Sequence, residues 1–466
     1  MNIVKELKER YEKNSDVKYK HLDMTRPLDL FFAEGLVHTR DIENFIIGTL
    51  ESIVRHHEDL LTSHLLQIEA LELDFQLIDQ RLFSGMLIII DARKIYALNL
   101  ISQPARNPEQ SNIDITISGP RDSFVENIQI NTALIRKRLK SDSLKYETFT
   151  VGRRSQTMVG LFYIDDIINM DLIDDIRRKI QSIETDAIIS ASQFRSFLYE
   201  DEKTALPLAT YTQRPDYCVS SLLAGKFVIL LDNFNNATVA PVTLPFFTDF
   251  SDDVNDHYLT TVLNRLIYFV SLGISLYLMA FVLALYSYSP DQLPIILLAN
   301  MISMRKGVIL PVPLEIIFAT FLFELFRIAG TRLPAGISST LLVIGGVLLG
   351  SITIVAGLIS YDIMFLTALS IICNYSISNN ISLNNMVSFL KLLVFLLCLA
   401  FGAYGFILSV IWITAYFCTK HSFHQPFMSP LAPLHLKDLP KMFLGRNFTP
   451  KSHRPEAMQT KDVRNR

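Results

Sequence analysis

LIYFVSLGISLYLMAFVLAL, residues 266–285, carries no charged side chain, and at about 1.5 Å of helical rise per residue it reaches about 30 Å, one hydrocarbon thickness. Outward from it the chain divides into unlike halves. The residues before it are charged and mixed; those after it stay apolar to about Cys418. A 50% hydrophobic content and a mean hydropathy of +0.30 average over that division. The start, MNIVKELKERYEKN, lacks the apolar run and small-residue cleavage site of a secretory signal, so the front half is expected on the cytoplasmic side.

A formal charge of -3, with no long basic stripe, argues against nucleic acid as a partner. The four cysteines, Cys218, Cys373, Cys398 and Cys418, show neither zinc-ligand spacing nor a disulfide pattern and read as small core residues. No P-loop, nucleophile elbow, His-Glu-x-x-His or dinucleotide fingerprint is present, so neither an enzyme nor a cofactor is expected. His56-His57-Glu58-Asp59 holds metal-capable side chains, but neighbours on a helix diverge by about 100° and read as a solvated face.

The pattern predicts an α+β cytoplasmic region of two α/β subdomains followed by a multipass α-helical transmembrane bundle. A polar lead-in (1–27) precedes a first subdomain (28–118). There Leu28 to Leu82 reads as helix-rich, and Met86–Ile90, Ile95–Leu100 and Ile113–Ile117 read as strands. Ser118-Gly119-Pro120 reads as the opening of a connecting helix (119–144), with Phe124, Ile128, Ile135 and Leu139 opposite a basic face of Arg136, Lys137, Arg138 and Lys140. The second subdomain (145–242) should hold a strand at Thr157–Ile164, a helix at Asp171–Ile183 and strands at Phe227–Asp232 and Ala237–Val242. Between those last strands Asn233, Asn235 and Asn236 form a turn that tolerates left-handed backbone. A linker (243–264), the membrane domain (265–420) and a tail (421–466) complete the chain.

Within the membrane domain, Ile337–Ile359 reads as a second span and Met386–Cys418 as a third apolar region that Gly402 and Gly405 can break. Arg265, Arg305-Lys306, Arg327, Arg332 and the basic tail fit cytoplasmic placement, giving four or six crossings with both termini inside. Gly346, Gly350, Thr353 and Gly357 fall on one stripe of a 337–359 helix, either a tight helix seam or a narrow conduit wall. Glu315 and Glu324 are ionisable groups at membrane depth, functional candidates on grounds of cost. Glu324 and Arg327, at i,i+3, are placed to pair, which leaves open a plain structural ion pair beside the ion-path reading.

Ordered blocks through the chain resemble one family, the A subunits of GerA-type spore germinant receptors, including SpoVAF-like paralogues. They are ISGPRDSFVENIQINTALIRKRLK from Ile117, VGRRSQT from Val151, YIDDI from Tyr163, YTQRPD from Tyr211, MRKGV from Met304, FELFRIAGTRLP from Phe323, VIGGVLLG from Val343 and SFHQPFMSPLAP from Ser422. The chain departs from the family pattern at Asp232–Asn235, Arg305–Gly307 and Pro334–Ser339.

The resemblance implies a multipass protein of the bacterial spore inner membrane, assembled as a homo-oligomer in contact with lipid. It implies as partners a transporter-like B subunit and a lipoprotein C subunit, and a role as a ligand-gated cation channel component that triggers germination. A non-conducting membrane scaffold clustering the partner subunits is the alternative.

Overall fold

The computed structural model describes residues 3–37, 39–55, 68–91, 94–100, 120, 122–199, 204, 206–244, 258–332, 346–347, 349–378, 381–444, 454, 458 and 460–462. The His56–Asp59 cluster, the expected strand at Ile113–Ile117, Gly345 and most of Ile337–Val347 lie outside these residues.

Two antiparallel sheets build the front half. In the first, β1 (Val17–Leu22) and β2 (Leu28–Ala33) form a hairpin, β4 (Met86–Asp91) and β5 (Lys94–Asn99) form another, and β3 (Ile68–Leu71) joins the edge, in the order β1-β2-β4-β5-β3. Helices α1 (Ile3–Arg10), α2 (Ile47–Arg55) and α3 (Phe75–Leu82) cover it. Alternate residues of β2 enter opposite cores, with Phe31 and Ala33 on one face and Leu28, Leu30 and Phe32 on the other. Such two-sided burial turns a strand into a continuous apolar run. The stretch read as helix-rich from Leu28 therefore opens on a strand, because Leu28, Phe31 and Phe32 satisfy helical spacing and a doubly buried strand equally well.

The second sheet comprises β6 (Leu144–Val151), β7 (Thr157–Ile164), β8 (Thr210–Thr212), β9 (Phe227–Leu231) and β10 (Ala237–Ala240), in the order β6-β7-β9-β10-β8. Asn233 takes a left-handed φ of 69° in the β9–β10 turn. Between the sheets, α4 (Ile128–Arg136) begins at Ile128 and not at Pro120. The Asn127 side chain accepts from the Gln129 and Ile130 amides and so caps the helix there. Its supposed basic face is not all solvated: Arg136 is fully buried and donates from Nε and Nη2 to Asp16 at 2.7 and 2.9 Å. Helices α5 (Met170–Gln181), α6 (Ala191–Leu198) and α7 (Pro215–Leu223) complete this unit.

The apolar half opens with α8 (Tyr258–Leu283). It starts earlier than expected, so Arg265 lies inside a helix, where its Nη1 donates to the Met442 carbonyl at 3.3 Å. Then come α9 (Ile295–Met304), α10 (Val312–Arg332), a helical run at 349–355, α11 (Tyr361–Ser376) and α12 (Ile381–Thr419). Helix α8 packs on both α11 and α12. Among the described residues two stretches are long and apolar enough to cross a membrane, Leu259–Tyr288 and Ser382–Thr419. A short hairpin of β11 (His421–Ser422) and β12 (Gln425–Pro426) follows α12, and α13 (Leu439–Leu444) packs back against α8. Cys218, Cys373 and Cys398 are buried, and none of the four cysteines forms a disulfide.

Candidate functional site

Helix α9 ends at a turn in which Gly307 adopts φ +89, and an extended segment then leads into α10, where Pro313 occupies the first turn. Opposite this turn, the helical run at 349–355 stops and Gly357 takes φ +67. The Ile309 amide donates to the Gly357 carbonyl at 2.8 Å. A Cβ on Gly357 would stand 2.5 Å from the Gly307 carbonyl oxygen, so two glycine turns are pressed face to face where a side chain has no room.

Glu315 sits beneath that contact with no solvent exposure. Its Oε2 accepts from the Ser360 amide at 2.9 Å and from the Ser360 hydroxyl at 2.6 Å. Its Oε1 faces Arg305 Nη2 at 2.8 Å, a charge contact in which no N–H is aimed at the oxygen. The same Nη2 donates to the Leu310 carbonyl at 3.2 Å. Two residues beyond Ser360, the carboxylate oxygens of Asp362 are withdrawn from solvent beside Tyr286. The arrangement gathers a cation and two carboxylates within an apolar cluster that includes Val312, Ile316, Ile359 and Ile363, a costly placement unless each charge is compensated.

The remaining candidates scatter. Glu324 and Arg327 do pair along α10, with Arg327 Nε 3.0 Å from each carboxylate oxygen, but both are substantially exposed. Partly buried Lys391 on α12 lies in electrostatic reach of Glu324. Gly346 faces open space, whereas a Cβ on Gly350 would meet the Met364 terminal methyl at 3.3 Å. Thr353 is buried and donates to the Leu349 carbonyl at 2.6 Å. Gly357 does not continue their stripe, because the helix has ended before it and its left-handed backbone turns the chain.

Sequence reasoning took Arg305 only as a marker of membrane orientation and overlooked Ser360, Asp362 and Lys391. An oppositely charged pair flanking Gly307 and Pro311 was a usable signal for Arg305. Ser360 offered none, since its role depends on a tertiary contact.

A second irregularity lies in α12. Gly402 is non-helical at φ 61 and ψ -137, so the helix is two segments joined at a break. Tyr288 occupies the notch: a Cβ on Gly402 would lie 2.9 Å from its ring, and its hydroxyl donates to the Leu399 carbonyl freed by the break. Breaks of this kind persist in apolar surroundings where neighbours take up the released backbone groups.

The Bacillus/Clostridium GerA spore germination protein family matches this chain over residues 5–457. The chain belongs to that family. It is 36% identical over 387 residues to the spore germination protein XA of Bacillus anthracis, covering 83% of this chain and 78% of the relative. To the spore germination protein GerLA of Bacillus cereus it is 28% identical, across 99% of this chain and 96% of the relative. To the stage V sporulation protein AF of Bacillus subtilis it is 27% identical over 89% and 85%. Among solved structures, the N-terminal domain of the A subunit of the Bacillus megaterium spore germinant receptor GerK3 aligns at a TM-score of 0.39 and 21% identity. That alignment covers 51% of this chain and 92% of the other.

Proposed function

We propose that this GerA-family chain is the A subunit of a nutrient germinant receptor in the spore inner membrane, where it forms part of an oligomeric, ligand-gated cation channel. On this reading a transporter-like B subunit and a lipoprotein C subunit are its partners. The front half and the tail face the cytoplasm, and the apolar half crosses the bilayer four or six times. Nutrient bound at a partner must favour the open arrangement by differential binding energy.

The observation that carries the proposal is Glu315, a carboxylate with no solvent exposure, held by Arg305 and Ser360 in the apolar half. Intramembrane ionisable groups are commonly found on ion paths. The broken α12 supports it, since interrupted helices present backbone groups inside a membrane.

The test is reconstitution of the full chain in liposomes with a potassium gradient. Conductance by the chain, altered in selectivity or unit size by Glu315→Gln, is the expected outcome. Silence of the wild-type chain at full incorporation overturns the channel reading in favour of a scaffold. In spores, Gly350→Leu, which must displace Met364, is expected to slow potassium release after nutrient addition at normal protein level; unchanged kinetics count against this seam.

A further inference from the structure

The hairpin that follows α12 turns on two residues, Phe423 and His424, with φ of 46° and 68°. Consecutive left-handed residues define the tight hairpin turn that asparagine and glycine fill at low cost. A phenylalanine and a histidine there hold an unfavourable backbone, and such conformations persist only where the surroundings over-determine them.

The surroundings do so from two sides. Phe423 is buried in the core of the second sheet, its ring centroid 5.3 Å from Phe227 in an edge contact and 5.5 Å from Tyr199, with Lys179 Nζ 5.3 Å from the ring. His424 Nε2 stands 3.4 Å from Asp175 Oδ2 on α5. Phe427, four residues on and fully buried, belongs instead to the apolar cluster of the membrane half, with its ring 5.9 Å from that of Phe417 on α12. Its amide donates to the Lys420 carbonyl at 2.8 Å, and its carbonyl accepts from the Leu244 amide at 2.7 Å. Immediately before Phe423, fully buried Ser422 donates to the Leu208 carbonyl at 2.6 Å and accepts from the Val242 amide at 2.9 Å. Leu208 precedes the edge strand β8 and Val242 follows its neighbour β10, and both contribute to the cluster of the apolar half.

We infer that residues 421–427 are a rigid coupler between the second cytoplasmic sheet and the end of the last membrane helix, keyed into one core by Phe423 and into the other by Phe427. A two-residue hairpin has little internal freedom, so displacement at the end of α12 is passed to the sheet, and a partner that moves the sheet acts on α12 with the same coupling energy. That this coupling gates ion release rests on the proposed function; the coupling itself does not.

The discriminating variant is Phe423→Asn with His424→Gly, which supplies a better turn and removes the ring, so the hairpin forms while its anchor is lost. His424→Gly alone relaxes the backbone and keeps the anchor. In the full chain in lipid nanodiscs, amide hydrogen exchange is read for β9–β10 and for Trp412–Thr419. The double variant should raise exchange at least tenfold in both places, and His424→Gly in neither. A rise confined to the second sheet, with Trp412–Thr419 protected as in wild type, overturns the coupler. Ser422→Ala, which deletes two hydrogen bonds without opening a cavity, gives a second reading: protection must fall on both sides of the hairpin, and a one-sided change refutes the proposal. In spores the double variant should slow potassium release at least threefold at normal protein level. Absence of wild-type conductance in liposomes would sink the channel reading while leaving the exchange result to decide the tie.

Discussion

Laid strand upon strand, the two sheets of the front half repeat one design. Each begins with a hairpin, passes through helix to an edge strand, crosses another helix and closes with a second hairpin, giving β1-β2-β4-β5-β3 and β6-β7-β9-β10-β8. Both bury apolar side chains on both faces. They differ in what reaches them. The clusters of the first sheet draw on residues no later than Ala133 among the described residues, whereas the second takes in Phe423 from beyond the long apolar helix α12. One strand order thus carries two different sets of packing partners, set by the helical and hairpin attachments.

The connection between the sheets is the place to break this comparison with the largest effect. Arg136 lies under Phe83, 4.3 Å from guanidinium carbon to ring centroid, and is bonded to Asp16, both charges being nearly or fully buried. Removing one member of such a pair strands the other, so Arg136→Ala should cost about 3–5 kcal/mol. Thermal unfolding of the detergent-solubilised chain should then separate into two transitions where the wild type shows one. Replacing both partners together, Arg136→Met with Asp16→Leu, should recover most of the loss, since no orphaned charge remains.

A smaller perturbation sharpens the contrast between the sheets. Ile88 and Ile229 are completely buried in equivalent central strands. Truncation to valine should cost about 0.5–1.5 kcal/mol at either position. Only Ile229→Val, which loosens the core holding Phe423, should also raise hydrogen exchange at the end of α12. Equal effects on α12 from both variants would mean that the two sheets are tied to the apolar half alike.

How much of this was legible beforehand varies with the physics of each element. The strand at Thr157–Ile164 and the helix over Met170–Gln181 announce themselves, one as an unbroken apolar run and the other as a clean amphipathic repeat. Strand β1, VKYKHL, is an edge with largely polar side chains, and β6 alternates too weakly to stand out. Glu315 was visible because a carboxylate in an apolar segment is expensive wherever it sits. Its partner Ser360 was not, because forty-five residues separate them and only the packed turns at Gly307 and Gly357 bring them together. The small-residue stripe went wrong at Gly357 for a related reason: counting by helical turns assumes the helix continues, and a left-handed glycine is often what ends it.

The finest distinction between the sheets is the sign of their response to acid. In the first, burial pushes the Asp79 carboxyl above its ordinary range, outweighing the hydrogen bonds it accepts from Arg10 and Tyr11. A carboxyl raised on folding favours the folded state below its unfolded value, and that contribution is lost as pH rises through the folded value. In the second, burial also acts upward on Glu147, but the hydrogen bonds from Arg177 and Tyr163 prevail and hold it below the usual carboxylate range. Its stabilisation is full above the unfolded value and disappears as pH falls through the folded one. Because partly exposed ion pairs contribute up to about 1 kcal/mol each, the effect is the smallest of the three. Denaturant unfolding from pH 3 to 7 should therefore show Glu147→Gln flattening the acid-side loss of stability and Asp79→Asn steepening it. Parallel pH profiles for the two variants would mean that the sheets differ in attachment alone and not in the electrostatics that hold them.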